Sequence, residues 1–299
     1  RHGLKNLKLE RRNLLDLAGA PERFDLIVCT GVLHHMEQPD EGLRALASVL
    51  APHGVLYGMV YADGRRAGVY FLQDMFRRLG LKQEPADIKC AREVLKALPA
   101  HHYLRGFLPH PDSIDDADLV DIFLHPQDRA FSVEGVLDLV ARAGLMFQGW
   151  DDNGLYAREV HVDPSSPLWA RLDHVSPEAE WSIVDDFALA TGRHTFMARH
   201  PHATPPWRIS FESNGWLNYR PVRHPGLLPL GGGRFRRGRY EFTRTPVEEA
   251  MLHLADGETS IKTIAERLRQ PASLAERRAL ARGFFALMWR VGHLFMRTG

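Results

Sequence analysis

The residues best suited to chemistry lie in three short stretches. His34-His35 offers imidazole as a base or a metal ligand. Tyr61-Ala62-Asp63-Gly64-Arg65 offers a phenol, a carboxylate and a guanidinium, and Leu124-His125-Pro126-Gln127-Asp128-Arg129 brings a similar mixture. A side chain that takes up a proton must come within hydrogen-bond reach of the atom losing it, and His35, Tyr61 and Asp128 are the candidates for that work. No metal site is expected, because adjacent histidines point in different directions and no third ligand stands near them in sequence. The plainer reading of the pair is that one histidine packs and the other meets solvent. For the other two stretches it is an Arg–Asp pair that staples an insertion to the core. Cys29, inside an apolar run, reads as inert core, and nothing near Cys90 would depress its pKa. Arg234, Arg236, Arg237 and Arg239 interleave with Phe235 and Tyr240 in the manner of a nucleic-acid patch. The formal net charge of +1 gives no global field toward nucleic acid or anionic lipid. Nucleic acid is therefore not the expected partner.

Positioning these groups requires elements that the apolar pattern supplies. Phe24 to Cys29 is nearly continuous apolar sequence, the habit of a strand buried on both faces of a parallel sheet, and Thr30-Gly31 ends it. Pro39, Asp40 and Glu41 suit the first turn of a helix, whose apolar stripe is Leu43, Leu46, Ala47 and Leu50. Pro52 and Gly54 close that helix and lead into a second apolar strand, Val55 to Tyr61. Strand, helix, strand in this order is a right-handed βαβ unit with parallel strands. Further on, Ser132 caps a helix with apolar face Val136, Leu137 and Val140 and with Gly144 beyond its end. Leu145 to Gly149 and Leu155 to His161 read as an antiparallel hairpin joined by Asp151-Asp152-Asn153-Gly154. Leu7 to Leu9 alternates like a short half-buried strand.

At 299 residues the chain has room for more than one domain. Pro164-Ser165-Ser166-Pro167 marks a linker, residues 164–206 read as a helical connecting region, and residues 207–299 form an accessory α-rich domain. In that domain Val247, Ala250, Met251 and Leu254 form one helical stripe, Ile261, Ile264, Ala265 and Leu268 a second, and Phe284, Leu287, Met288, Val291 and Phe295 a third. No apolar run reaches membrane-spanning length, and the two cysteines form no disulfide framework, so a reducing cytoplasmic setting is expected. The chain opens Arg1-His2-Gly3 without an initiating Met, which reads as a fragment starting inside a longer sequence.

The run Phe24-Asp25-Leu26-Ile27-Val28-Cys29-Thr30-Gly31-Val32-Leu33-His34-His35-Met36 resembles the fourth strand and following loop of class I S-adenosylmethionine-dependent methyltransferases. Gly42-Leu43 through Leu50-Ala51-Pro52-His53-Gly54-Val55-Leu56 is similar to that family's next helix, its Pro-Gly turn and its fifth strand. The Leu145–His161 pair resembles the family's terminal hairpin. The resemblance covers roughly residues 4–162 and implies an α/β fold: a Rossmann-like methyltransferase sheet, incomplete at the N-terminus, over residues 1–163. A helical cap at about 71–130 and the α-rich C-terminal domain complete it. The family's Gly-rich loop and the acidic residue that holds the ribose have no counterpart here. Gly231-Gly232-Gly233 lies in the wrong domain for that task. The expectation is a strand Phe24–Cys29 with a raw edge, a Leu7–Leu9 strand without its neighbour, and weak cofactor binding by the chain as it stands.

What the resemblance implies for function is a methyltransferase that uses S-adenosylmethionine and acts on a small-molecule or protein acceptor. Ligands of such folds sit beyond the carboxyl ends of the central strands, so Thr30, Gly31 and Val32 would line the methionine end. Asn13 stands where the family has an adenine-binding acid. Its side-chain carbonyl accepts the same hydrogen bond without charge, and Leu14 would offer its backbone amide. His35, Tyr61 and Asp128 are the implied acceptor-side residues, since methyl transfer rests mainly on positioning and needs a base only when the acceptor must lose a proton. The rival expectations are a non-catalytic binding or regulatory protein on a methyltransferase scaffold, and a nucleic-acid methyltransferase using the arginine cluster.

Overall fold

A computed structural model describes residues 4–106, 110–203, 209–238 and 240–298. The chain forms two compact units: Arg1–Phe147 with Thr191–Ala203, and Gln148–Ala190 with Thr204–Gly299. The first stretch of unit one ends at Phe147, and that unit takes in Thr191–Ala203 as well.

The first unit is built on the expected βαβ unit. Strand β1 (Phe24–Thr30) runs parallel to β2 (Leu50–Tyr61), with Leu26 opposite Val55 and Thr30 opposite Met59. Helix α1 (Pro39–Val49) connects them, with Pro39, Asp40 and Glu41 in its first turn and Leu43, Leu46 and Ala47 buried. Helix α2 (Asp63–Arg78) follows β2 directly, then α3 (Pro85–Lys96), α4 (Asp116–Leu119) and a π-helical turn, Val120–Leu124. These helices form the cap, with a core of its own around Val69, Leu72, Phe76, Ala91, Leu95, Leu104, Leu119 and Phe123. The cap begins at Asp63, not near Phe71. Gly64 and Gly68 disguise that helix in sequence, yet a Cβ at Gly68 would collide with Leu104 and Tyr103. Helix α5 (Val133–Arg142) is capped by Ser132, whose Oγ accepts from the Gly135 amide at 3.1 Å, and Gly144 follows at φ +73°. Strand β3 (Met146–Trp150) begins in this unit, and β4 (Arg193–Arg199) completes a sheet in the order β1-β2-β4-β3.

Two sheet expectations are corrected. Leu155–His161 is not a returning strand. Asp152 accepts from the Gly154 amide at 3.0 Å and starts a 3-10 turn, Asn153–Tyr156, and a short helix, α6 (Arg158–His161), follows. Tyr156 is fully buried with its ring stacked 4.3 Å from Trp150, so packing of these aromatic rings overrides the hairpin signal. The antiparallel partner of β2 is instead β4, with Leu56 opposite Ala198 and Tyr61 opposite Arg193. Leu7–Leu9 forms no strand; three alternating residues have too few ladder bonds to persist without a partner.

The registers define two sheet faces. Ile27, Cys29, Leu56, Val60, Phe196 and Ala198 share the buried one, where α1 and α5 pack. Leu26 and Val28 share the other with Val55, Tyr57 and Met59, and they are 62 % and 60 % exposed. Among the described residues β1 has no second neighbour, so its outer edge is unpaired.

In the second unit, α7 (Pro167–Leu172) and α8 (Pro177–Ala188) are fastened by Arg158, which reaches Glu180 at 2.6 Å and Asp173 at 2.6 Å. The C-terminal region is less purely helical than expected. Strand β5 (Arg220–Arg223) pairs with β9 (Leu294–Arg297), and β6 (Leu227–Gly231), β7 (Arg234–Arg237) and β8 (Tyr240–Thr243) form a meander. Helices α9 (Pro246–His253), α10 (Ile261–Arg267) and α11 (Leu274–Arg290) bury the expected stripes, Met251, Ile261, Ile264, Phe284 and Met288 among them. Strand alternation divides the arginine cluster. Arg234 and Arg236 face out, whereas Arg237 is buried, bidentate to Asp152 at 2.9 and 2.6 Å; Arg239 lies outside the described residues.

A Cβ at Gly58 would lie 2.5 Å from the Phe196 ring. Gly58→Val is therefore expected to cost about 1–3 kcal/mol in urea denaturation. Leu26→Thr on the open face should stay within about 0.5 kcal/mol of the parent protein.

Candidate functional site

The tips of β1 and β2 converge on one polar network. Beyond Thr30 the chain turns at Gly31 (φ +74°) and enters a 3-10 turn, Leu33–His35, closed by the His35 amide donating to Val32 O at 3.0 Å. Thr30 and Val32 are exposed, and a Cβ at Gly31 would meet nothing within 4 Å. That bare, open turn fits close approach of a ligand to the backbone. At the neighbouring tip, Tyr61 O accepts from the Phe131 amide at 2.9 Å and the Asp63 amide donates to Phe131 O at 3.1 Å. The Arg129 amide donates to His34 O at 2.9 Å, tying the end of the cap to the loop after β1.

Side chains from both tips then meet the cap. The Tyr61 hydroxyl donates to Asp121 Oδ2. His35 Nε2 stands 2.9 Å from Asp121 Oδ1, and its Nδ1 is 2.9 Å from Gln127 O, so each ring nitrogen faces an acceptor. The His125 ring lies 3.9 Å from that of His35, and the His34 ring 4.0 Å from that of Tyr61. Arg66, in the first turns of α2, places its guanidinium 3.8 Å over the Tyr61 ring and pairs with Asp128. Gln73, two turns further along α2, donates to Asp128 Oδ2 at 2.9 Å and to Ile122 O at 2.8 Å.

Burial sets the electrostatics. His34 is fully inaccessible, neither of its ring nitrogens has a protein partner, and burial together with the adjacent His35 pushes its pKa down to about 4. It is a neutral imidazole at neutral pH. Burial raises the Tyr61 hydroxyl above its usual value, and the Asp121 hydrogen bond raises it further. Burial also lifts Cys29 to about 11, in keeping with an inert core thiol. Asp128 has no exposed side-chain surface, and Arg66 and Gln73 supply the partners that a buried carboxyl group requires.

Three of the expected residues, His35, Tyr61 and Asp128, thus share one network, and Thr30, Gly31 and Val32 lead into it. Asn13 and Leu14 lie apart. Asn13 caps a 3-10 turn, Leu14–Leu17, its side-chain carbonyl accepting from the Leu15 amide at 3.1 Å, and this turn packs on α1. The Arg–Asp staple exists, but its arginine is Arg66 and not Arg65. His34 and His125, from the stretches named above, join the network, and Arg66, Gln73 and Asp121 complete it without having been singled out. For Arg66 and Gln73 a signal was present, since both interrupt the buried face of an otherwise amphipathic helix. Among the described residues no three His, Cys, Asp or Glu side chains gather as a metal ion would require, and no helix is long and apolar enough to cross a membrane.

Two measurements test this account. Arg66→Met leaves the Asp128 charge buried and unpaired, and should cost about 3–5 kcal/mol in chemical denaturation, with Asp128→Asn in the same chain recovering part of the loss. His34 is held below its ordinary value of 6.5, so the unfolded chain binds its proton more readily. Its contribution to stability is complete above about pH 6.5 and falls away as pH drops toward 4, by up to about 1.4 kcal/mol per pH unit. The stability difference between the parent and His34→Phe should shrink over that interval; a constant difference would contradict the assignment.

Residues 1–56 match the family described as "Methyltransferase domain". An uncharacterized protein of Synechococcus is 29% identical over 228 residues, a match covering 74% of this chain and 54% of that protein. PKMT2 from Rickettsia typhi superposes with a TM-score of 0.65 at 15% sequence identity, covering 95% of this chain and 60% of that one. The same protein in complex with AdoHcy gives 0.64 at 16%, covering 98% and 62%. The chain therefore spans between half and two-thirds of the length of these proteins. The family match thus covers the opening strand, the helix after it and the start of the second strand, and the fold shared with PKMT2 extends over nearly the whole chain.

Proposed function

We propose that the protein transfers a methyl group from S-adenosylmethionine to an amine on a protein acceptor, with the tips of β1 and β2 facing that acceptor. The observation that carries this reading is the convergence of Thr30–Val32 with the His35–Asp121–Tyr61 network at the carboxyl ends of two parallel strands, beneath a helical cap. A protein acceptor is the class suggested by the fold neighbour PKMT2.

This reading gives the residues the following roles. Thr30, Gly31 and Val32 hold the methionine end, and Asn13 and Leu14 receive the adenine. The cofactor, when bound, supplies an electrophilic methyl group on a sulfonium. An amine attacks only through its lone pair, so an ammonium must first give up a proton; the new N–C bond then forms as the C–S bond breaks. Asp121, with its charge facing both His35 and Tyr61, draws the cationic side chain to the strand tips. His35 and Tyr61 orient its nitrogen, and His35 passes the proton toward solvent. Asp128 is a positioning residue: enclosed and paired, it fixes Arg66 over the Tyr61 ring. The rival reading, a binding protein on a methyltransferase scaffold, draws on a different fact: His35, Tyr61 and Asp128 all have partners within their own unit.

Nuclear magnetic resonance with S-adenosylhomocysteine separates the readings. The methyltransferase reading expects saturable shifts at the Thr30, Gly31 and Val32 amides, lost in Gly31→Trp. It also expects labelled methyl groups from S-adenosylmethionine to appear on lysine side chains of protein acceptors. Shifts without methyl incorporation favour the scaffold, and no shifts at saturating ligand remove both.

A further inference from the structure

The cap holds a cavity of about 270 Å³ that the strand-tip network does not use. Its floor is apolar, formed by Phe76, Leu81 and Phe123, the two phenylalanine rings lying perpendicular at 6.3 Å. Its rim is basic, with Arg77, Lys82 and His125, and no aspartate or glutamate lines it. Arg77 is hydrogen-bonded to Gln73 Oε1 at 2.9 Å, a neutral partner. Among the described residues neither the Arg77 guanidinium nor the Lys82 ammonium bonds a carboxylate, although Asp87 Oδ2 accepts from the Lys82 backbone amide at 2.8 Å. An apolar hollow flanked by two cationic side chains that bond no carboxylate matches a ligand with a greasy body and one anionic group. The volume is at the small end of ligand sites, which start at about 300 Å³, so the body must be small.

The cavity is also wired to the strand tips. The π-helical turn Val120–Leu124 turns Asp121 toward His35 and Tyr61 while Phe123 and Leu124 face the hollow. Turns of this type recur where a helix serves a site. His125 belongs to both places, lining the cavity with its ring tilted 3.9 Å from that of His35. A second route runs from Arg77 to Gln73, from Gln73 to Asp128, and from Asp128 to Arg66 over the Tyr61 ring.

We propose that this cavity is a binding site for a small amphiphilic carboxylate, its apolar body against Phe76, Leu81 and Phe123 and its carboxylate against Arg77 and Lys82. Occupancy competes for the Arg77 guanidinium and presses on His125, so it reaches the candidate site by both routes. The proposal does not depend on methyl transfer, and its test requires no turnover.

Calorimetric titration of the 299-residue protein with 2-naphthoate is expected to show saturable binding, with neutral 2-naphthamide binding about tenfold more weakly. The double variant Arg77→Gln/Lys82→Gln should lose about tenfold in affinity for 2-naphthoate and nothing for the amide. Leu81→Trp, which fills the hollow from its partly exposed wall, should abolish binding of both while circular dichroism and melting temperature show a folded chain. In the parent protein the His125 and His35 ring resonances should move on titration. Equal affinity for acid and amide, an unchanged double variant, unperturbed histidine resonances or no saturable heat would each overturn the proposal.

Discussion

A carboxylate sealed from water must be neutralised where it sits, and Asp128 sets that requirement for the first unit. Its side chain has no exposed surface, and Arg66 and Gln73 answer it from one face of a single helix. Moving a charge pair out of water costs several kcal/mol per ion unless geometry and added hydrogen bonds compensate, which fixes α2 against the end of the cap within narrow limits. Once Arg66 is fixed, its guanidinium covers the Tyr61 ring, the Tyr61 hydroxyl turns toward Asp121, and Asp121 takes up His35. The strand tips are shaped by this chain of obligations more than by the sheet beneath them.

The same economy explains the two histidines. His34 faces inward, where no acceptor or carboxylate meets its ring, and burial keeps it uncharged. His35 faces the cap, where each ring nitrogen finds an acceptor. Consecutive residues of one short turn thus meet surroundings of opposite polarity, His34 an enclosure without a partner and His35 two acceptors.

The βαβ unit was legible because its signals are local. A continuous apolar run, Pro39-Asp40-Glu41 at a helix start, and an apolar stripe each report on neighbours within a turn or two. Ser132 and Gly144 were readable for the same reason. Strand β4 was not, although Arg193-His194-Thr195-Phe196-Met197-Ala198-Arg199 alternates inward and outward residues, because its polar ends and the helices before it masked a partner far upstream in β2. The Asn-Gly hairpin failed where Tyr156 found Trp150. At the site, the residue types near the strand ends could be named, but their partners could not: Tyr61 and Asp121 are 60 positions apart and Arg66 and Asp128 are 62. No local pattern encodes such pairings. The arginine cluster shows the converse, since period-two alternation, applied residue by residue, turns Arg237 inward to Asp152 and leaves Arg234 and Arg236 outside.

The uncovered flank of β1 has a practical consequence. Parallel strands are ordinarily clad on both sides, yet this one shows water a row of branched aliphatic side chains along a line of unused amide donors and carbonyl acceptors. Among the described residues, this seven-residue strand is thus where a further strand would extend the sheet, through main-chain bonds along its edge and aliphatic contacts on its open face.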